Sequence, residues 1–211
     1  MKVVVLADNQ GDSLQPLTSS LSFVKLELLG EPLLFYILDS LLGLPVSEII
    51  IIANYNLGEF QMLFPESEYK GMNVSLLCVD SASVTAESVK NAANEDEETV
   101  LVINADSYFE FNLSKAYSRH IINKNDVTII CKNVDDPRDY AVINETEEGV
   151  ITEIVEKPDW SGVFSDLVDC GVYFIEHSVW GVVDENETGI FLRSVFSEVI
   201  ISGFKVCTFI A

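Results

Sequence analysis

Five short apolar runs, rich in branched residues, are separated by segments of helical spacing. The runs are KVVVLA (2–7), SEIIIIAN (47–54), MNVSLLCVD (72–80), TVLVINAD (99–106) and DVTIICKN (126–133). A run without polar alternation predicts a strand covered on both faces, as in a parallel sheet. Between them, EPLLFYILDSLLGL from Glu31, residues 57–64, TAESVKNAA (85–93) and LSKAYSRHIINK (113–124) repeat apolar residues at helical intervals. Pro32 suits a first helical turn, and Thr85 or Ser83 can cap the third helix. The order βαβαβαβαβ predicts an α/β fold with an open, doubly wound, mostly parallel Rossmann-like sheet.

After residue 133 the pattern changes. YAVINETEEGVITEIVEKP (140–158) alternates with period two around a Glu-Glu-Gly turn, which predicts a β-hairpin insertion. VDCGVYFIEHSVW (168–180) reads as a strand entering a short helix. FLRSVFSEVIISG (191–203) reads as a helix closed by Gly203, and FKVCTFIA (204–211) as a last strand. No repeat or linker interrupts this order, so residues 1–211 are expected to form one domain. The stop on an apolar strand reads as truncation from a longer chain.

The 34 acidic against 12 basic residues leave a net charge of −22. Such a surface repels phosphate backbones and argues against direct nucleic-acid binding. It suits a basic protein partner, and equally it can serve solubility alone. The run Glu95-Asp96-Glu97-Glu98 reads as a solvated loop. Cys78, Cys131, Cys170 and Cys207 lie far apart among apolar neighbours and are expected to be reduced core thiols. No apolar stretch reaches the ~20 residues of a membrane span, and the first run is too short for a signal peptide. A cytoplasmic protein without a membrane partner is therefore expected.

The loop after the first run, ADNQGDSLQPLT, poses the functional question. Leu-x-Pro-Leu-Thr at 14–18 and Gly-x-Pro-Leu-Leu at 30–34 resemble the sugar-nucleotidyltransferases, whose opening loop is typically G-G-x-G-T-R-L-x-P-L-T. Further matches follow in order. The family's G-T-A falls at Val84-Thr85-Ala86, its N-G-D at Asn104-Ala105-Asp106, and its Y-G-V-V at Tyr140-Ala141-Val142-Ile143. Its E-K-P is intact at Glu156-Lys157-Pro158, and its N-A-G-I-Y falls at Asp169-Cys170-Gly171-Val172-Tyr173. The resemblance implies a nucleotide site at Asp8, Asn9, Gly11 and Thr85, a sugar-phosphate site at Glu156 and Lys157, and a metal ligand at Asp106. It implies Mg²⁺ if transfer takes place, and no cofactor otherwise.

The loop departs from that pattern. Asp8 and Asn9 stand at its glycine positions and Ser13 at its arginine. Phe23 stands at the lysine of P-K-P-L-L-P, with Lys25 two residues on. A triphosphate carries about −4, and each like-charge contact at ~4 Å costs about 4 kcal/mol at an effective dielectric of ~20. On that argument no residue is assigned a catalytic role, and the chain is expected to lack turnover. The Ala-Asp start and the Asp169-Cys170 pair resemble one branch in particular, the N-terminal domain of the epsilon subunit of eukaryotic translation initiation factor 2B. That resemblance implies a non-catalytic assembly and regulatory domain of a guanine-nucleotide exchange factor, whose partners are the other subunits. The alternatives are a sugar-1-phosphate nucleotidyltransferase, for which the intact Glu156-Lys157-Pro158 speaks, and a nucleotide sensor without turnover.

Each singled-out residue also has a plain structural reading. Asp106 can serve as a turn aspartate. Lys157 can pair with Glu153 or Asp159. His120 and His177 lack a second ligand at metal spacing and are expected to be structural. Trp160 and Trp180 read as packing or interface aromatics.

Overall fold

Branched side chains on both faces of the central strands set the frame of this protein. The computed structural model describes residues 1–7, 14–19, 23–54, 57–79, 86–93, 99–160, 162–183 and 191–211. The assignments at Asp8, Asn9, Gly11 and Thr85 lie outside these residues. So do the charge argument at Asp8, Asn9 and Ser13 and the acidic run 95–98.

From the amino terminus, β1 (Lys2–Ala7) is followed by a small ribbon, β2 (Glu27–Leu28) with β3 (Glu31–Pro32), then α1 (Leu33–Asp39) and β4 (Glu48–Ala53). Next come α2 (Leu57–Leu63), β5 (Glu68–Tyr69), β6 (Met72–Cys78), α3 (Ala86–Ala93), β7 (Val100–Asn104), α4 (Leu113–Asn123) and β8 (Val127–Asn133). The remainder is β9 (Ala141–Glu145), β10 (Ile151–Glu156), β11 (Leu167–Ile175), α5 (Phe191–Ile201) and β12 (Val206–Ile210). The helix expected from Glu31 is shorter than its apolar pattern. It starts after Pro32, and its last turns unwind before Gly43, which takes φ +95° two residues ahead of Pro45.

β6, β4, β1 and β7 are parallel neighbours. Successive residues of a strand point to opposite faces, and both faces are buried here. Val3, Val5, Ile49, Ile51, Leu101 and Ile103 pack on one side with Leu34 and Ile37 of α1, Phe60 of α2 and Ala116 of α4. Val4, Leu6, Ile50, Ile52 and Val102 pack on the other with Val89 of α3 and Phe196 of α5. The sheet is thus mixed but mostly parallel, with helices on both faces.

β11 reverses this direction inside the sheet, and it positions the site. β11 runs antiparallel between β7 and β8, while β12 pairs parallel with β8. Val172 faces Ile103, so the first residues of β11 run on past the carboxyl end of β7. There Val168 pairs with Val142 of β9. The β9–β10 hairpin, turned through Gly149 at φ +78°, therefore stands beside the carboxyl edge of the parallel strands. In open α/β sheets that edge is where ligands bind.

Candidate functional site

The end of β7 and the start of β11 shape the site together. The chain turns sharply after Asn104, with the Ser107 N–H donating to the Asn104 carbonyl at 3.2 Å. The ladder of β11 is interrupted between Asp169 and Tyr173, and Gly171 takes φ +74° in the gap. A Cβ on Gly171 would stand 2.6 Å from the Asn104 Nδ2. Only glycine lets the Asn104 amide lie against β11, so the bulge fixes how the two strand ends meet.

A cavity of about 820 Å³ opens at this junction. Asn104, Asp106 and Ser107 line it from the end of β7, and Tyr108, Phe109 and Phe111 from the segment that follows. Tyr140, Ala141 and Glu156 line it from the hairpin side, Lys132 from β8, and Asp169, Cys170 and Tyr173 from β11. Phe109 and Phe111 stack with centroids 4.6 Å apart, giving one wall an aromatic face.

Asp169 is the least ordinary group here. Its Oδ1 accepts the Gly171 N–H at 3.0 Å, and its Oδ2 accepts the Tyr173 hydroxyl at 2.6 Å. Loss of water on burial nevertheless pushes its carboxyl up to about 7, and the Glu156 charge adds to that push. The same burial holds the Tyr173 hydroxyl well above its ordinary value and pushes the neighbouring Cys170 thiol up to about 11. Among the described residues no cation forms an ion pair with Asp169 or Glu156. Lys132 carries its ammonium 5.8 Å from the Tyr140 ring centre.

The residues singled out in the sequence divide clearly. Asp106 and Glu156, fifty positions apart, line the same cavity. Lys157 does not line it. It is exposed, takes φ +40°, and its N–H donates to the Tyr140 carbonyl at 2.9 Å, with no ion pair to Glu153 or Asp159. Lys25 is also elsewhere, paired with Glu59 at 2.6 Å. His120 is buried and hydrogen-bonded, in keeping with a structural role. Trp180 is buried, whereas Trp160 is exposed with the Arg138 guanidinium 4.3 Å from its ring centre. The four thiols are free, but only Cys131 and Cys207 are fully buried; Cys78, at the end of β6, is exposed.

Sequence reasoning did not assign Asp169, Tyr173, Lys132 or Asn104 to the site. A signal for Asp169 exists, since it is the one charged residue in LVDCGVYFI, and a carboxylate in a buried strand needs a reason.

A family model for nucleotidyl transferases matches residues 2–194, and the chain belongs to that family. It is 24% identical over 201 residues to a mannose-1-phosphate guanylyltransferase of Mycobacterium tuberculosis, covering 95% of this chain and 55% of that one. It is 26% identical over 175 residues to the UTP–glucose-1-phosphate uridylyltransferase AglF of Haloferax volcanii, covering 82% of this chain and 71% of that one. The chain spans about half the length of the mannose-1-phosphate guanylyltransferases it matches. Among solved structures, a Bacillus anthracis protein assigned as a glucose-1-phosphate thymidylyltransferase, crystallised with sucrose, shares the fold. Its TM-score is 0.84 at 18% identity, over 100% of this chain and 86% of that one.

These relatives carry sugar-1-phosphate nucleotidyltransferase names and none of them is a translation factor. That overturns the expectation of a non-catalytic domain of a translation initiation exchange factor. The reason is that this expectation rested on departures at the first loop and on the Asp169-Cys170 pair, while the family match spans residues 2–194. No helix among the described residues is long and apolar enough to cross a membrane.

Proposed function

We propose that this chain is the nucleotide- and sugar-phosphate-binding domain of a sugar-1-phosphate nucleotidyltransferase. In that reaction a phosphate oxygen of the sugar 1-phosphate forms a bond to the α-phosphorus of a nucleoside triphosphate. The α–β phosphoanhydride bond breaks, and pyrophosphate leaves with the electron pair. The observation that carries the reading is the union of Asp106 and Glu156 in one cavity at the carboxyl edge of the sheet.

Asp106 ends the turn after β7 and is the residue that would hold Mg²⁺. Among the described residues no group of three acidic, His or Cys side chains could hold a metal ion. A single carboxylate still fits Mg²⁺, which keeps several waters and takes its remaining ligands from substrate phosphates. Bound there, the ion would supply neutralisation of charge on the transferring phosphate. Glu156, at the end of β10, can accept hydrogen bonds from sugar hydroxyls. Asn104, held against Gly171, can offer its amide to the same ligand.

The test is pyrophosphate release from the 211-residue chain with Mg²⁺, each of the common nucleoside triphosphates and a panel of hexose 1-phosphates. Release is expected with at least one pair, and Asp106→Asn is expected to lower it by about 100-fold or more. No release with any pair would sink the proposal.

A further inference from the structure

Asp106, Glu110, Asp139, Glu156 and Asp169 line the cavity, and among the described residues neither Glu156 nor Asp169 has an ion-pair partner. Glu110 accepts the Tyr108 hydroxyl at 2.6 Å, and Asp106 belongs to the metal end of the site. Asp139 lies on the loop before the hairpin, whereas Glu156 on β10 and Asp169 on β11 share one side of the cavity, and the charge of the first acts on the second. Both oxygens of Asp169 already accept one protein hydrogen bond, yet neither donor is a cation. A neutral sugar hydroxyl placed here would leave both carboxyl groups without a counter-charge. A positively charged ligand group would relieve both, through charge-assisted hydrogen bonds.

We infer that the cavity selects a sugar 1-phosphate bearing a free ammonium group, held between Glu156 and Asp169. This rests on the transfer reading of the same cavity. The phosphate end lies toward Asp106 and its metal, and the ammonium end lies toward the β10–β11 side. The aromatic wall at Phe109 and Phe111 offers a flat apolar surface to the sugar ring between them. The surroundings of the pair agree. Burial and Glu156 raise Asp169, the Cys131 and Cys170 thiols and the Tyr173 hydroxyl around it are themselves raised, and Lys132 is the one cation among the described lining residues. None of these groups neutralises the pair.

The experiment is calorimetric titration of the 211-residue chain at pH 7.5 with Mg²⁺. The ligands are a neutral hexose 1-phosphate, its 2-amino and 4-amino counterparts, and the N-acetylated form of each. One amino sugar is expected to bind about tenfold or more tightly than the neutral parent, and acetylation is expected to abolish the gain. Asp169→Asn or Glu156→Gln should bring that ratio below about threefold, with thermal melts confirming that each variant is folded. The inference falls if the neutral parent binds as tightly as both amino sugars, or if the preference survives both substitutions. Pyrophosphate release with neutral sugars alone would overturn the charge preference and leave the transfer reading standing. If no sugar 1-phosphate binds and none supports release, both fall together.

Discussion

β11 places one carboxylate at each edge of the sheet, and the two are treated in opposite ways. Glu176 follows the strand at the edge away from the cavity. Its Oε1 accepts the Thr99 hydroxyl at 2.6 Å and the His120 Nε2–H at 2.9 Å. The His120 Nδ1 then accepts the Thr128 hydroxyl at 2.8 Å, and the Thr128 oxygen accepts the Asn125 amide at 3.0 Å. The Glu176 carboxylate can only accept, which places a proton on Nε2 and assigns Nδ1 of the neutral ring as the acceptor. The His120 hydrogen bond, with help from Thr99, holds Glu176 below its ordinary range. Asp169, seven positions earlier, accepts hydrogen bonds from the Tyr173 hydroxyl and from the Gly171 and Cys170 backbone but pairs with no cation, and burial raises it. A carboxylate completed by its own protein locks two elements together. One left short of a counter-charge at a cavity wall is suited to a ligand.

The largest effect should come from breaking the completed end. His120→Ala removes a buried ring and leaves the Thr128 and Glu176 partners unmet, so unfolding in denaturant should show a loss of about 3 kcal/mol. A loss below about 1 kcal/mol would show that the relay is not structural. At the other end, Asp169→Asn should stabilise the fold at pH 8 by about 2 kcal/mol, because it removes a charge that burial disfavours.

The sign of the pH dependence separates the two ends. Asp169 is raised from an unfolded value of about 3.9 to about 7, so the native state binds its proton more tightly between those limits. Its contribution to stability is present below that window and is lost as pH rises through it. Glu176 is lowered, so its contribution is present above the unfolded value and is lost as pH falls through the folded one. Stability measured from pH 4 to 8 should therefore slope less in Asp169→Asn. Glu176→Gln should keep the wild-type slope between pH 5 and 8 and lie below it throughout. An unchanged slope in Asp169→Asn would erase the contrast.

The scaffold was largely legible because its strands are continuous apolar runs, and such runs are compatible with little other than a two-sided sheet. The early end of α1 was less so, since LLGLP keeps an apolar pattern while Gly43 and Pro45 stop the helix. The two-residue strands β2, β3 and β5 carry no periodicity at all. Asp106 and Glu156, which motifs place at a strand end and a hairpin end, line the candidate cavity. Asp169 and Gly171 were visible as family positions but not as parts of a cavity. Their roles depend on Asn104 and Glu156, which only tertiary pairing brings alongside. Lys157, next to Glu156 in sequence, shows the converse, because one residue of strand geometry separates a lining side chain from an exposed one.

The smallest effect, and the sharpest test of the contrast, lies in Glu156→Gln. It removes no buried hydrogen bond of the described structure and should change stability at pH 8 by no more than about 0.7 kcal/mol, the linkage equivalent of about half a pH unit on Asp169. Its consequence should appear on Asp169. With the neighbouring charge gone, burial alone raises that carboxyl, and the midpoint of the pH-dependent stability loss should move to lower pH by about half a unit. Carboxyl carbon resonances followed through a pH titration would read this directly. A midpoint that stays in place would mean that the two carboxylates do not sense each other. The unneutralised end of β11 would then be a matter of desolvation alone, with nothing in it that calls for a positively charged ligand.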